Sequence, residues 1–265
     1  MLINNQENIK NEIIKENLKV HKEESKIYDD FHIEIFNRYE NHRINKDINY
    51  IKNLFEKNRM INLLDIGCGT GNIGLRFASD DRFRITAVDL SREMLEEFEK
   101  KVDAYKNIVL IRQSAEEFLN KNSKKYDVIT IYSTLHHFYK PYSIFSKALN
   151  IINKQGIIYL SHEPLCKKQQ QKNLFSEVIN FLDRVLSNFY YIYKLKKIPK
   201  IDHTIADYHS KEGIDVDKLK KMLEYNFNIL SCQEHSVNRM AITNLIDNKV
   251  VKTKKNFKLI AQRKN

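Results

Sequence analysis

The 265-residue chain has no tryptophan, six glycines, three prolines and three cysteines. So little glycine and proline excludes collagen-like, linker-like and proline-rich architectures. Cys68, Cys166 and Cys232 are odd in number, far apart and in no C-x-x-C pair. That pattern excludes a disulfide framework and a cysteine zinc site, and it reads as reduced thiols in a cytoplasmic protein. No stretch approaches the ~18 uncharged apolar residues that a membrane span needs. The start, MLINNQENIKNEIIKENLKV, lacks the apolar core of a secretory signal, so secretion is not expected.

What is present suffices for a full core: 42% of residues are hydrophobic and 11% aromatic. Charge is plentiful and uneven. Residues 164–265 carry 20 Lys and Arg against 10 Asp and Glu, which accounts for 10 of the 11 net positive charges. Such a surplus fits either an anionic partner of the C-terminal part or plain solvated surface.

Apolar spacing changes along the chain. Residues 11–58 carry helical stripes, such as Ile27, Phe31 and Ile35. From Ile61 short apolar runs at 61–66, 84–88, 108–111, 127–131 and 156–160 alternate with amphipathic segments at 72–79, 91–104, 114–120 and 141–153. Alternation of this kind means βαβ units and a mostly parallel sheet. Beyond Pro164 it stops. A long helix is expected over 169–195, another over 215–225, and two strands at 227–233 and 256–262. No linker divides the chain, so one domain is expected: an N-terminal helical part (1–58), a core (61–163), a helical lid (164–212), and a final helix and strands (213–265).

The sharpest motif is Asp65-Ile66-Gly67-Cys68-Gly69-Thr70-Gly71, which closes the first strand. Alternating glycines there give a tight turn that a ligand can approach closely, and the next helix points its N-terminal N–H groups at the same place. Asp89, ending the second strand, is placed to accept hydrogen bonds from two ribose hydroxyls. Gly69, Gly71 and Gly74 also satisfy G-x-G-x-x-G. A dinucleotide site, however, does not place an acid such as Asp65 inside the strand.

With LLDIGCGTGNIG, ITAVDLSREML, IRQSAEEF, YDVITIYSTLHHF and GIIYLSHEP in view, the chain resembles the class I S-adenosylmethionine-dependent methyltransferases over 60–163. The resemblance implies an α/β, Rossmann-like, seven-stranded, mostly parallel sheet with an antiparallel last strand and helices on both faces. It also implies a helical N-terminal cap and a helical lid. The expected cofactor is S-adenosyl-L-methionine, leaving S-adenosyl-L-homocysteine as product. Asp65, Gly67, Gly69, Gly71 and Asp89 inherit its binding, with Leu90, Ser114 and Ala115 around the adenine. Ser114 stands where the family more often has Asp. Tyr132 joins this set, as does Tyr28, whose segment KIYDDF resembles the cap of small-molecule members.

For the chemistry the chain offers His136 and His137 beyond the fourth strand and His162 beyond the fifth, with Tyr132 and Glu163 beside them. Any of the three histidines could serve as base if the acceptor must lose a proton. His136 is favoured by the resemblance, whereas His21, His32, His42 and His235 receive no role. No metal is expected. The polar segment 202–213, with His203, Tyr208 and His209, is a candidate acceptor lining. The function expected is methylation of an oxygen or nitrogen on a small molecule, anionic if the C-terminal lysines face inward, by a monomer or homodimer. The alternative is an RNA (tRNA or rRNA) methyltransferase that uses the basic C-terminal third. No N-P-P-Y or D-P-P-Y loop supports it, since Tyr132-Ser133-Thr134-Leu135 stands there.

Overall fold

Runs of Ile, Leu and Val too short for helices form seven strands in the computed structural model. The structure describes residues 2–103, 105–171, 175–196, 212–253 and 255–265. The strands are β1 (Ile61–Ile66), β2 (Phe83–Asp89), β3 (Ile108–Arg112), β4 (Tyr126–Tyr132), β5 (Ile152–Pro164), β6 (Phe227–His235) and β7 (Asn256–Arg263). They form one sheet in the order β3-β2-β1-β4-β5-β7-β6, in which only β7 runs against the others. The order reverses between β1 and β4, so the carboxyl ends of β1, β2 and β4 open on one crevice.

Helices α1 (Leu2–Glu24), α2 (Tyr28–Phe31), α3 (Ile33–Phe36) and α4 (Arg38–Asn53) precede the sheet. Next come α5 (Gly74–Ala78), α6 (Arg92–Val102), α7 (Ala115–Lys121) and α8 (Pro141–Asn150), the crossovers between parallel strands. The last three are α9 (Ser176–Leu195), α10 (Val216–Leu223) and α11 (Ala241–Ile246). Side-chain caps fix several starts: Asn37 for α4, Ser91 for α6, Ser114 for α7 and Asp215 for α10. Two apolar layers sandwich the sheet, with α7, α8 and α10 on one face and α4, α5 and α6 on the other. Of the stretch read as a cap, α1 to α3 lie over the crevice, while α4 buries Ile44, Ile48 and Ile51 in the second layer.

Two expectations are modified. The stripe through Ile27, Phe31 and Ile35 is not one helix, because the backbone breaks at His32, whose ring hydrogen-bonds Glu24 and Glu34. The helix expected from 169 starts only at Ser176. The final strands pair antiparallel, and α11 and a π-helical turn, Asp247–Val251, connect them. Polar groups organise that connection. The buried Asp247 carboxylate accepts from Ser236, from Asn238 at 2.9 Å and from Thr253 at 2.6 Å, so no apolar period marks it in the sequence. His203, Tyr208 and His209 lie outside the described residues.

Candidate active site

After β1 the chain turns through Gly67, Gly69 and Gly71 with φ of +66°, +52° and +92°. These are left-handed conformations that cost little only for glycine. A Cβ on Gly67 would overlap the Thr134 side chain, and one on Gly71 the Phe98 ring, whereas one on Gly69 would meet nothing within 4 Å. The loop is thus packed from behind at its two ends and open toward the crevice at its middle.

Asp89 braces that open middle. Its Oδ2 accepts from the Gly69 N–H at 2.9 Å and its Oδ1 from the Ser91 N–H at 2.8 Å. Asp65 sits behind the loop, 2% exposed. The Thr130 hydroxyl donates to its Oδ1 at 2.6 Å, and its Oδ2 has no partner. Burial pushes its pKa up to about 6, against the opposing pull of Thr130.

Beyond β4 the chain passes through Ser133, at φ +50°, into a 3-10 turn, Leu135–His137. Glu163, fully buried, holds this turn by accepting from the N–H groups of Thr134, Leu135 and His136 at 2.8, 2.8 and 3.1 Å. It also contacts His136 Nδ1 at 2.8 Å. His136 is therefore part of a bracket behind the turn, and His137 projects into the crevice.

A second buried network lies beneath Tyr132. A bulge in β5 between Leu160 and Glu163 puts His162 at φ +60°, and its Nδ1 is 3.1 Å from Glu40 Oε1. The same carboxylate takes both arms of Arg43 and the Tyr132 hydroxyl at 2.9 Å. Burial would raise the Glu40 pKa, but Arg43 outweighs it and holds the carboxyl well below its usual range. Burial first, then Glu40, pushes the Tyr132 hydroxyl well above its ordinary value, so it acts as a donor. Lys258 pairs with Asp47 nearby, and Tyr159 donates to Asp47 at 3.2 Å. Glu40, His162 and His235 place ligand-type atoms within 4.8 Å of one another, but Glu40 is already committed to Arg43 and Tyr132.

Two adjoining cavities occupy the crevice. The larger, about 350 Å³, lies between α1 and the ends of β2 and β3, with Asp89, Leu90, Ser114 and Ala115 on its floor. The smaller, about 50 Å³, lies over the glycine loop and is lined by Gly67, Gly69, Tyr28, Tyr132 and His137 among others. His21, Gly67, Asp89, Thr134 and His137 face both. Nine of the residues expected at the site line these cavities, namely Tyr28, Gly67, Gly69, Asp89, Leu90, Ser114, Ala115, Tyr132 and His137. Asp65, Gly71, His136 and His162 do not; they stand behind the residues that do.

Sequence reasoning missed the N-terminal contribution. His21, given no role, is edge-on to both Tyr28 and His137, with ring centres 6.3 and 5.9 Å away. The Ile14 and Leu18 stripe of α1 roofs the larger cavity. Asp29 fastens α2 to the glycine loop: it accepts from the Thr70 hydroxyl at 2.7 Å and from Lys101 at 2.6 Å. His32 bridges Glu34 and Glu24 at 2.9 and 3.1 Å. Burial alone would lower its pKa, but the two acids raise it to about 9, so the ring is a cation at neutral pH. The one available signal was the pair of acids eight residues before and two after His32.

A glycine loop open at its middle, an acid across from it and an apolar-roofed floor at the ends of β2 and β3 suit a nucleoside with a short polar extension. A family model described as a methyltransferase domain matches residues 57–227, more than half of the chain. The chain belongs to that family, the class I S-adenosylmethionine-dependent methyltransferases, and S-adenosylmethionine is its cofactor. Over 102 residues it is 32% identical to a malonyl-[acyl-carrier protein] O-methyltransferase of Halalkalibacterium halodurans, which covers 37% of this chain and 38% of the relative. It spans between 38 and 44% of the length of the curated relatives it matches first. Two solved structures share the fold. An N-methyltransferase from Bradyrhizobium japonicum WM9 aligns with TM-score 0.53 and 9% identity, over 86% of this chain and 89% of its own. Magnesium protoporphyrin IX methyltransferase from Synechocystis PCC 6803 aligns with TM-score 0.52 and 15% identity, over 84% and 83%.

Proposed function

We propose that the chain methylates an oxygen or nitrogen of a small molecule held beside His137, where the two cavities meet, with the adenosine part of the cofactor in the larger cavity and its amino-acid part over the glycine loop. The observation that carries this reading is the cap: α1 and α2 roof two adjoining cavities that meet at His137 and Asp89. Asp89, Leu90, Ser114 and Ala115 would hold the ribose and adenine, and Gly67 and Gly69 the amino-acid part. Bound there, the cofactor supplies an electrophilic methyl group on a sulfonium. The chain's own task is to orient the acceptor lone pair in line with that methyl and to exclude water, which the roof of α1 and the Tyr28 ring accomplish. His137 takes the proton that an hydroxyl or ammonium acceptor must lose. His136 and Glu163 position the turn that carries His137, while His162, through Glu40, fixes the Tyr132 hydroxyl.

No described residue beyond 163 lines either cavity, and the cations at the larger one are Lys10 and Lys140. The relatives named for malonyl-[acyl-carrier protein] and for ubiquinone biosynthesis are O-methyltransferases, which favours an oxygen acceptor here. The test is incubation with methyl-labelled cofactor and, separately, a small-molecule extract and bulk tRNA. Label in the extract, lost in His137→Ala, supports the reading; label confined to tRNA overturns it.

A further inference from the structure

Helix α9 turns its polar side inward. Ser176, Asp183 and Ser187 are buried on that side, with Ile179 and Tyr191. Asp183 accepts from the backbone N–H groups of Arg239 and Met240 at 3.1 and 2.8 Å and from the Thr243 hydroxyl at 2.5 Å, all at the start of α11. Tyr191 donates to the Phe31 carbonyl at 2.8 Å. These directional bonds fix which side of the helix faces the protein.

The opposite side is apolar and exposed. Val178, Phe181, Leu182, Leu186, Phe189 and Ile192 all face solvent, Phe181 at 62% and Phe189 at 68% exposure. At the helical rotation of about 100° per residue these six fall within an arc of roughly 140°. A helix packed on a water-soluble domain buries such an arc. This one presents it outward along about 21 Å of helix, and an exposed apolar surface of that extent marks an interaction site. Exposed cations accompany it: Arg184 on the helix and Lys196 just past its end, with Lys249 and Lys252 on the turn after α11 that packs against α9, against one exposed acid of the helix, Glu177. No helix among the described residues is long and apolar enough to cross a membrane.

An apolar arc with aromatic residues, a cationic rim and insufficient length to span is the physical make-up of a helix that lies in a membrane interface. We propose that the outer face of α9 docks on an anionic lipid bilayer. Phe181 and Phe189 enter the upper acyl region, and Arg184 and Lys196 reach headgroup phosphates. The inner side of the same helix touches the cap, through Tyr191 on Phe31 and Lys194 on Asp30 at 3.5 Å. Docking therefore brings the lipid surface beside the elements that roof the crevice.

The test is co-sedimentation of the full chain with vesicles of phosphatidylcholine alone and of phosphatidylcholine mixed with phosphatidylglycerol, at low and high salt. Expected is retention on the mixed vesicles that weakens with salt. The pair Phe181→Ser with Phe189→Ser should lower retention about tenfold or more. Lys196→Glu with Lys249→Glu should abolish the preference for phosphatidylglycerol. Both pairs alter exposed side chains, and unchanged thermal unfolding certifies the fold. Equal retention on neutral vesicles overturns the anionic requirement. A wild-type chain that stays in the supernatant with both vesicles overturns the proposal. Its mass by sedimentation equilibrium then separates a dimer, broken by the phenylalanine pair, from a monomer that covers its own helix.

Discussion

At the residue level, the glycines of one loop serve two different ends. Gly71 is filled from behind by Phe98, while Gly69 faces open crevice. Gly71→Val should therefore cost stability through overlap, seen as a lower unfolding temperature, before any question of ligand arises. Gly69→Val should pay only for its left-handed φ, about 1–2 kcal/mol, yet abolish measurable S-adenosylhomocysteine binding by calorimetry. Equal stability losses in the two variants would show that the loop is not open as described. Asp89→Ala should weaken that binding by about 2–3 kcal/mol, because a charged acceptor for two hydroxyls is lost. A folded variant with unchanged affinity would remove Asp89 from the site. These residues were legible in the sequence because strand, turn and acid are local and evenly spaced. Which histidine of the pair faces the cavity was not, since a distant side chain, Glu163, decides how the 3-10 turn is rotated.

At the level of elements, β1, β2, β4 and β5 were readable because buried parallel strands are continuous apolar runs, with β4 buried at all seven positions, and the half-exposed edge strand β3 keeps such a run, IVLI. The N-terminal cap was not, because ion pairs and hydrogen bonds between separate segments shape it. Its pH response follows from one of them. His32 titrates near 9 in the fold against an ordinary 6.5, with burial opposing and Glu24 and Glu34 raising the value. Since the folded value is the higher, the contribution is complete below pH 6.5 and lost as pH rises toward 9. It amounts to at most about 3 kcal/mol, trimmed by solvent at the partly exposed ring. Unfolding temperature measured from pH 6 to 10 should fall more steeply in the native chain than in His32→Gln. Parallel curves would mean that His32 does not hold the cap. Asp29→Ala, which frees α2 from Thr70 and Lys101, should raise the Kd for S-adenosylhomocysteine with only a modest fall in unfolding temperature, as the Asp29 side chain is itself 41% exposed although Thr70 is buried.

For the whole molecule, the uneven charge raised the question of what it faces. Among the described residues the C-terminal cations line neither cavity; Lys258 is buried against Asp47, and Lys218, Lys221 and Lys264 are exposed. A polynucleotide acceptor would use such lysines against its phosphates. Each neutralised phosphate steepens the fall of binding with salt, so six to ten contacts lose about 10³–10⁵ in affinity between 50 and 200 mM. A small acceptor enclosed under α1 and α2 exchanges few counterions and meets charges shielded from bulk ions. Labelling of the small-molecule extract should therefore change at most about twofold across that salt range, and Lys218→Gln with Lys221→Gln should leave it unaltered. A steep logarithmic decline, reduced by those two substitutions, would place the acceptor on the basic surface and defeat the enclosed-acceptor reading. The lipid surface proposed for α9 responds to salt as well, but in vesicle retention and not in turnover on a soluble extract, so the two measurements separate a charge that docks the protein from a charge that holds its substrate.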